Sequence, residues 1–339
     1  MENLQKRLKI LYAVQGTGNG HLSRAMDVIP CLQKHGEVDI VVSGIQGDLQ
    51  LPFKVKYKLK GLSFIFGKKG GVDLFKTMIK ANLPRLIKSI RRLPVEDYDL
   101  IINDFEPVSA WACYFKHKTC ISVSHQGAVL DKAFPLPEDI DRKGRLILKN
   151  YAPADFSYGF HFYRTGENIF TPVIRNQVRD REVTNKGHYT VYLPSYDDKT
   201  LVKRLSEYPN VIWDVFSKHC KKQKQYGTIT ISPVNNEQFT ASMAAAEGVF
   251  CGAGFETPAE ALFLQKKLLV IPMKNQYEQQ LNGAALKGMG VPVIKNLSPK
   301  YTDVINEWIN NGKVIPVDYP DTTQAIIDHV IKTHAPVQV

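Results

Sequence analysis

The sequence predicts an α/β protein built from two doubly wound parallel-sheet domains in tandem. In both halves of the 339-residue chain, apolar segments of strand length alternate with segments whose apolar residues recur at helical spacing. The strand segments are continuously apolar, which is typical of strands buried on both faces of a parallel sheet. The length allows two domains of roughly 100–200 residues each, and ligands of such sheets bind at the C-terminal ends of the strands.

The first predicted domain covers residues 1–170. Its predicted strands are four short apolar segments, at 9–14, 38–43, 99–104 and 120–125. Its predicted helices each have one apolar face and lie at 21–36, 72–92 and 108–117. Because strands and helices alternate, these elements predict a parallel sheet covered by helices.

A polar and charged linker is predicted at 171–188, and the same pattern then restarts in a second domain at 189–320. The predicted strands of this domain lie at 189–194, 211–216, 228–233, 248–254 and 267–273. Its predicted helices lie at 199–210 and 257–265. The remaining segment, 321–339, is expected to form a terminal helix that packs back on the first domain. Two such halves leave a cleft between them.

Composition places the chain among cytoplasmic globular proteins. Its residues are 44% hydrophobic and 23% charged, and no stretch approaches the ~18 apolar residues of a membrane-spanning helix. The five cysteines are scattered without a CxxC pair, which argues against both a disulfide framework and a zinc ribbon. No clustered metal-ligand motif is visible, so no metal is expected.

A glycine loop, QGTGNGH, joins the first predicted strand to the first helix at 15–21. Its glycines follow a GxGxG spacing, and the second strand ends without an acidic residue, so a dinucleotide site is weakly supported. His21 then begins the helix and is expected to face the cleft. Asp104, at the end of a neighbouring strand, is its candidate partner in a general base. The alternatives are a packing histidine and an aspartate that caps the following helix.

Two further residues, Ser124 and His125, end another strand on the same rim and are candidates to bind a substrate hydroxyl. In the second half, CGAGFETPAEAL at 251–262 places a glycine turn before a helix. Amides at such a helix start bind phosphate. Thr257 is the expected N-cap, and Glu260, three residues later, completes a capping box or accepts hydrogen bonds from a ribose.

A polar cluster follows the next strand, within PMKNQYEQQLNG at 272–283. Its side chains Glu278, Gln279 and Gln280 suit a sugar with several hydroxyls. The alternative is a solvated helix start. The two clusters stand on consecutive strand ends. Together they support a ligand site better than either cluster does alone.

With these motifs in place, the chain resembles nucleotide-sugar glycosyltransferases of the GT-B type, which have two Rossmann-like domains. It is most similar to the branch that contains the peptidoglycan N-acetylglucosaminyltransferase and the UDP-glycosyltransferases. Three stretches carry the resemblance: QGTGNGH, YDLIINDFEPVSAWACYF, and the segment from EGVFCGAGFETPAEAL to LKGMGV.

The resemblance implies a role for each candidate residue. His21 would deprotonate the acceptor, and Asp104 would orient it. The remaining assignments fall into three groups. The nucleotide diphosphate is assigned to Gly18, Gly252, Gly254, Phe255, Glu256 and Thr257, with Glu260 on the ribose. The donor sugar is assigned to Glu278, Gln279 and Gln280, and the acceptor to Asn19, Ser124 and His125. The loop at 231–239 falls where these families bind the base.

The chain departs from the UDP-glycosyltransferase pattern at two positions. Gly252 stands where that pattern has a phosphate-binding histidine, and Phe255 stands in place of its tryptophan. The implied activity is transfer of a sugar of the hexosyl type from a nucleotide-diphosphate sugar, a UDP-sugar, to an acceptor hydroxyl with inversion and without a metal or other cofactor. Two alternatives are a nucleotide-sugar hydrolase or epimerase on the same fold and a non-catalytic nucleotide-sugar-binding protein.

The net charge of +11 is concentrated in one segment. Residues 53–93 hold twelve Lys and Arg and one acid, Asp73, so this segment accounts for the whole excess. Related glycolipid synthases meet the membrane near this place, which implies a contact with anionic lipid and a lipid-linked, cell-envelope acceptor. The alternative is a solvated helix over a packed apolar face. No nucleic-acid recognition module is visible, so we expect no nucleic-acid partner. The expected location is the cytoplasm, on the inner face of the cytoplasmic membrane.

Overall fold

The computed structural model describes residues 7–17, 19–44, 51–61, 83–131, 134, 142–274 and 276–336. Gly18 lies outside the described residues. So do residues 62–82, which belong to the basic segment and include the first part of the predicted helix at 72–92.

The first sheet has seven parallel strands in the order β3-β2-β1-β4-β5-β6-β7. These strands are β1 Leu8–Gln15, β2 Gly36–Ser43, β3 Val55–Leu59, β4 Leu100–Asp104, β5 Ile121–Ser124, β6 Phe156–Phe160 and β7 Ile169–Phe170. The central strands β1 and β4 are buried over most of their length. The chain therefore winds outward in both directions from β1, as a doubly wound sheet does.

Helices connect these strands and cover the sheet. Those of the first half are α1 Asn19–Gln33, α2 Leu83–Arg92, α3 Pro107–Lys116, α4 His125–Val129 and α5 Arg142–Tyr151, with a 3₁₀ turn at Val95–Asp97. Between the sheets lies the short helix α6 Asn176–Arg179.

The second sheet has six strands in the order β10-β11-β9-β8-β12-β13. They are β8 His188–Tyr192, β9 Ile212–Ser217, β10 Lys224–Tyr226, β11 Ile229–Pro233, β12 Gly248–Gly252 and β13 Lys267–Ile271. All neighbours pair in parallel except β10, which forms an antiparallel hairpin with β11. The predicted fold class, two doubly wound parallel-sheet domains, is confirmed.

The helices of the second half are α7 Asp198–Leu205, α8 Asn236–Ala245, α9 Glu256–Phe263, α10 Tyr277–Gly288, α11 Thr302–Asn311 and α12 Thr323–His334, with a 3₁₀ turn at Pro299–Tyr301. Helix α12 packs against α1 of the first domain. The His35 ring, in the turn after α1, lies 2.7 Å from the Asp328 carboxylate of α12. The last described helix is therefore part of the first domain in space.

The structure differs from the sequence predictions in several elements. Strands β3, β6 and β7 were not predicted. Strand β3 alternates Lys with apolar residues, which is typical of a half-buried strand and differs from the continuously apolar strands that were expected, and the other two are short or mixed in polarity. The strand predicted at 120–125 ends one residue earlier. Ser124 caps the short helix α4 by accepting a hydrogen bond from the Gly127 amide at 3.2 Å, so His125 belongs to that helix.

Among the described residues, no helix combines the length and the apolar character needed to cross a membrane.

Candidate active site

The candidate site lies where the C-terminal ends of strands from both sheets face one another. From the first sheet, β1 leads into the glycine loop, and β4 and β5 end at Asp104 and Ser124. From the second sheet, β12 and β13 end at Gly252 and Ile271, next to the starts of α9 and α10. This is the edge at which parallel α/β sheets bind ligands.

The side chains of His21 and Asp104 meet in the structure. Nδ1 of His21 lies 2.8 Å from Oδ1 of Asp104, which is fully buried, while the histidine side chain stays 15% exposed. An ionised carboxylate only accepts hydrogen bonds, so we assign the proton of the neutral ring to Nδ1. This leaves Nε2 with a lone pair that can take a proton from a substrate.

Arg24 stands one helical turn after His21 and grips the same carboxylate. Its Nη2 donates to Asp104 Oδ1 at 2.7 Å and lies 2.9 Å from Oδ2, and its Nε donates to Oδ2 at 3.1 Å. Its remaining nitrogen, Nη1, donates across the cleft to Glu256 Oε1 at 2.6 Å. Nη2 also lies 3.1 Å from His21 Nδ1. The guanidinium thus lies between the base and the second domain.

A tight turn after β4 fixes the direction of the Asp104 side chain. Asn103 holds the turn through both ends of its amide, accepting from the Glu106 amide at 2.9 Å and donating to the Glu106 carbonyl at 2.7 Å. Phe105 adopts a left-handed φ of 57° within it. Its ring lies nearly parallel to that of His21, with centroids 6.2 Å apart. Glu106, not Asp104, caps the next helix.

The electrostatics of the site favour the charged pair, in which His21 is protonated and Asp104 is ionised, over the pair in which both groups are neutral. Burial opposes protonation of His21, but the Asp104 carboxylate and its hydrogen bond outweigh burial and raise the pKa of the ring above its ordinary value. Burial also opposes ionisation of Asp104, but Arg24 and His21 outweigh that effect and lower the pKa of this carboxyl. His21 is therefore a stronger base than a free imidazole.

His125 and Ser124 are both buried on the rim of the first sheet. His125 Nδ1 donates to the Phe160 carbonyl at 2.7 Å, and Nε2 lies 2.7 Å from the side-chain amide of Asn282 in the second domain. The ring also stacks on Phe255, with centroids 3.8 Å apart and an interplanar angle of 8°. The predicted acceptor residue His125 and the predicted diphosphate residue Phe255 thus touch across the cleft.

The start of α9 differs from the predicted capping box. The helix begins at Glu256 with Phe255 as its N-cap and no side-chain cap, so Thr257 lies inside the first turn. The predicted reach of Glu260 back to Thr257 is therefore wrong. Glu260 instead receives two hydrogen bonds from the buried Arg175, from Nε at 2.5 Å and from Nη2 at 2.8 Å. A buried carboxylate needs such a partner to stay ionised.

The glycine turn before α9 leaves room in the cleft. A methyl group added at Gly254 would meet no atom within 4 Å, and one added at Gly252 would meet only Gln279 Oε1, at 3.7 Å, and a backbone oxygen. Glu278 accepts a hydrogen bond from Gln126 of the first domain at 3.0 Å.

The other predicted site residues are spread along the two helix starts. Gln279 accepts from the Met273 amide at 2.9 Å, and Gln280 is exposed. Asn19 is the first residue of α1 and is half-buried.

Two side chains of this site were not predicted from the sequence: Arg24 and Arg175. Arg24 had a detectable signal, because a residue three positions after His21 lies on the same helical face. Asn282 lay within the predicted polar cluster, one turn beyond Glu278. Arg175 lay in the predicted linker, where its contact with Glu260 has no local signal.

Among the described residues, no group of three or more His, Cys, Asp or Glu side chains is arranged to hold a metal ion.

Comparisons with known proteins agree with this architecture. The sequence model of a family described as "Glycosyl transferase family 1" matches residues 8–311. No curated protein matches the chain.

Among solved structures, the chain is similar to MurG of Acinetobacter baumannii, with a TM-score of 0.57 and 14% identity over 96% of this chain and 99% of that one. It is similar to UGT89C1 of Arabidopsis thaliana in complex with UDP-L-rhamnose, with a TM-score of 0.58 and 12% identity over 97% of this chain and 94% of that one. For the spinosyn forosaminyltransferase SpnP, the TM-score is 0.58 and the identity 11%, over 98% of this chain and 96% of that one. At these identities the likeness establishes the fold, which is the predicted GT-B fold.

Proposed function

The chain belongs to glycosyl transferase family 1, and from this premise we propose that it transfers a sugar from a UDP-sugar to an acceptor hydroxyl with inversion. The observation that carries the proposal is the 2.8 Å contact between His21 and the buried Asp104 at the mouth of the cleft. It lies opposite the glycine turn at 252–254, where the open space at Gly254 leaves room for a ligand. A base and a phosphate-binding turn on facing walls are what a displacement at a sugar carbon requires.

In the proposed reaction, the acceptor hydroxyl gives its proton to Nε2 of His21, and its oxygen forms a bond to the anomeric carbon. The bond between that carbon and the diphosphate oxygen breaks on the opposite face, and its electron pair leaves with the diphosphate. Asp104 holds the ring through Nδ1 and stabilises the imidazolium that forms. Attack and departure on opposite faces invert the anomeric centre.

The donor is proposed to lie against the second domain. Its diphosphate would meet the amides at the start of α9, near Gly252, Gly254 and Thr257, and its ribose would meet Glu260. Arg175 uses two of the roughly four lone-pair positions on that carboxylate, so Glu260 can still accept from ribose hydroxyls. The choice of UDP is supported by UGT89C1, which was solved in complex with UDP-L-rhamnose.

The donor sugar is proposed to contact Glu278, Gln279 and Gln280, and the acceptor to contact Asn19, Ser124 and His125. Gly18, outside the described residues, would line the diphosphate site. We expect the reaction to proceed without a bound metal ion, so that a chelator leaves the rate unchanged.

A thermal-shift panel of nucleoside diphosphates tests the donor class, because a ligand that binds only the folded state raises the apparent stability. We expect UDP to give the largest shift. Turnover with the matching nucleotide sugar is then followed with and without acceptor alcohols. Release of free sugar without any acceptor would identify a hydrolase, and unchanged turnover in His21→Ala would refute the proposed base.

We also propose that the acceptor is lipid-linked and that the basic segment 53–93 contacts anionic lipid on the inner face of the cytoplasmic membrane. The described part of this segment supports the idea. Helix α2, which holds three arginines and one lysine, exposes Leu83 and Ile87, 57% and 42% accessible. It packs against α3, whose Tyr114 and Phe115 are each 62% accessible. Exposed aromatics beside cations suit a lipid interface.

Vesicle sedimentation tests the lipid contact. The protein should pellet with vesicles that contain anionic phosphatidylglycerol and stay in the supernatant with neutral phosphatidylcholine vesicles. The variant Lys88→Glu/Arg92→Glu, which reverses two charges on α2, should lose most of the pelleted fraction. A matched control, Lys332→Glu on the exposed side of α12, should keep it. Equal behaviour of the two variants, or no pelleting of the native protein, would end the proposal.

A further inference from the structure

Arg24 is shared between the catalytic pair and the second domain. Its Nε and Nη2 hold the two oxygens of Asp104, and its Nη1 points out of that pair to Glu256 Oε1 at 2.6 Å. The Arg24 side chain is 1% exposed, that of Asp104 is fully buried, and that of Glu256 is 23% exposed. The guanidinium of Arg24 therefore has one fully buried partner, Asp104, and one partner that solvent can reach, Glu256.

Glu256 lies where the proposed diphosphate should lie. It is the first residue of α9 and directly follows the Gly252–Gly254 turn and Phe255. Its carboxylate extends across the cleft to the glycine loop, where a Cβ added at Gly20 would collide with Oε2 of Glu256. The ligand-free chain thus holds an anionic group between the two loops that are proposed to enclose the donor.

The charges around Arg24 favour replacement of the Glu256 carboxylate by another anion. Arg24 faces two carboxylates, and Asp104 already takes three of its hydrogen-bond contacts. A carboxylate left beside a bound diphosphate would repel it. The Arg24–Glu256 contact therefore has to break when a diphosphate enters.

We propose that Glu256 is a placeholder anion and that Arg24 is a catalytic residue which binds the diphosphate of the donor through Nη1. This inference rests on the proposed function. In the ligand-free enzyme, the Glu256 carboxylate occupies the position of a phosphoryl group. When the donor enters, that carboxylate turns to solvent and a phosphoryl oxygen replaces it on Nη1.

The proposed role of Arg24 follows from the planar shape of its guanidinium. During transfer, the electron pair of the broken bond between the anomeric carbon and oxygen passes to the β-phosphoryl oxygen. An N–H donor on that phosphate stabilises the charge as it develops. The same planar group keeps Asp104 in place behind His21. A lysine has a single side-chain nitrogen and cannot bind the Asp104 carboxylate and a phosphate in this way. Arg24 would thus align the base and the leaving group with one side chain.

Calorimetric titration of the native protein with uridine, UMP and UDP, at fixed pH and salt, tests this inference. In Glu256→Gln the competing charge is gone, so UDP should bind roughly fivefold to tenfold more tightly, as expected for loss of a charge-assisted contact. Uridine should bind as in the native protein, because it carries no phosphate. The matched control is Glu278→Gln, which removes a cleft carboxylate that pairs with the neutral Gln126. It should not tighten UDP binding.

A second variant separates Arg24 from general charge effects. Arg24→Gln should weaken UDP binding at least tenfold and leave uridine binding unchanged, and adding Glu256→Gln to it should give no gain. If Glu256→Gln weakens UDP binding or leaves it unchanged, or if it tightens UDP binding equally with and without Arg24, the placeholder role is refuted. If uridine, UMP and UDP all fail to bind the native protein and every variant, the proposed UDP-sugar function fails as well.

Discussion

The Asp104 carboxylate connects the residues that determine the chemistry. It is fully buried, it accepts from His21 at 2.8 Å and from Arg24 at 2.7 Å, and the turn held by Asn103 directs it into the cleft. Each of these partners lowers the energy of the ionised form, which is why a carboxylate without solvent access stays charged. The proposed function of His21 as a base depends on this one charge.

We therefore expect kcat/KM to rise with pH on the acid side of its profile, with the midpoint of this acid limb above pH 6.5, the ordinary pKa of histidine. Protonated His21 cannot accept a proton, so activity rises with pH through the raised pKa of the ring. In Asp104→Asn the charge that raises this pKa is absent. The limb should move to lower pH, and the plateau should fall by about 10²–10⁴-fold because the ring loses its orienting partner.

Asp99→Asn provides a matched control for this profile. Asp99 immediately precedes β4, at the end opposite Asp104, where it accepts from the Lys9 amide at 2.8 Å. This variant should keep the native profile. An acid limb that stays in place in Asp104→Asn would show that a group other than His21 sets it.

At the scale of elements, α1 and α12 form one packed layer although they lie at opposite ends of the described chain. Val28, Ile29 and Leu32 of α1 share a hydrophobic core with Ile326 and Ile327 of α12. Because α1 also carries His21 and Arg24, this packing holds the helix that presents the proposed base, His21. The terminal helix thus stabilises the site from behind.

Ile327→Ala should lower the free energy of unfolding by about 2–5 kcal/mol, since the residue is 1% exposed and its removal leaves a cavity. Urea denaturation followed by circular dichroism measures the change. Lys332→Ala, on the exposed side of the same helix, should stay within about 0.5 kcal/mol of the native protein. Equal effects of the two substitutions would show that α12 does not pack on the first domain in solution.

Sequence patterns predict elements with strong periodicity and miss those whose pairing is set by neighbours. Strands β1 and β4 are mostly apolar, so their positions and the strand end that carries Asp104 could be predicted. Strand β3 was not predicted, although the alternation of Lys56 and Lys58 with apolar residues is itself typical of a half-buried edge strand. An expectation of continuously apolar strands does not include it. The capping box before Glu260 was predicted from local spacing, but a distant cation, Arg175, took the carboxylate instead.

On the scale of the whole molecule, the two domains are joined by polar contacts among the candidate ligand residues themselves. Arg24 binds Glu256, Gln126 binds Glu278, and His125 meets both Asn282 and Phe255. Sequence patterns indicate candidate residues on each wall of the cleft, but these pairs leave no local pattern from which they could be predicted. The donor and acceptor would have to replace these contacts on entry.

Asn282→Ala should favour an open arrangement of the domains. The native side chain is fully buried, lies 2.7 Å from His125 and donates to the Ala253 carbonyl at 3.2 Å. Without it, the closed form loses a contact that the open form never had, so the radius of gyration from small-angle X-ray scattering should rise in the absence of ligand. Asn311→Ala, in an exposed contact with Glu307, should leave it unchanged. An unaltered radius in both variants would contradict a role of Asn282 in closure.

The return of α12 to the first domain has a consequence for biosynthesis. A domain at the N-terminal side of a chain commonly folds while the ribosome still translates the rest. Here about 150 residues separate the end of β7 from α12, so at about 5–20 residues per second the first domain waits roughly 8–30 s for its last helix. During that interval the apolar face of α1, with Val28 and Leu32, lacks its cover. The first domain is therefore expected to reach its full stability only after α12 has been made.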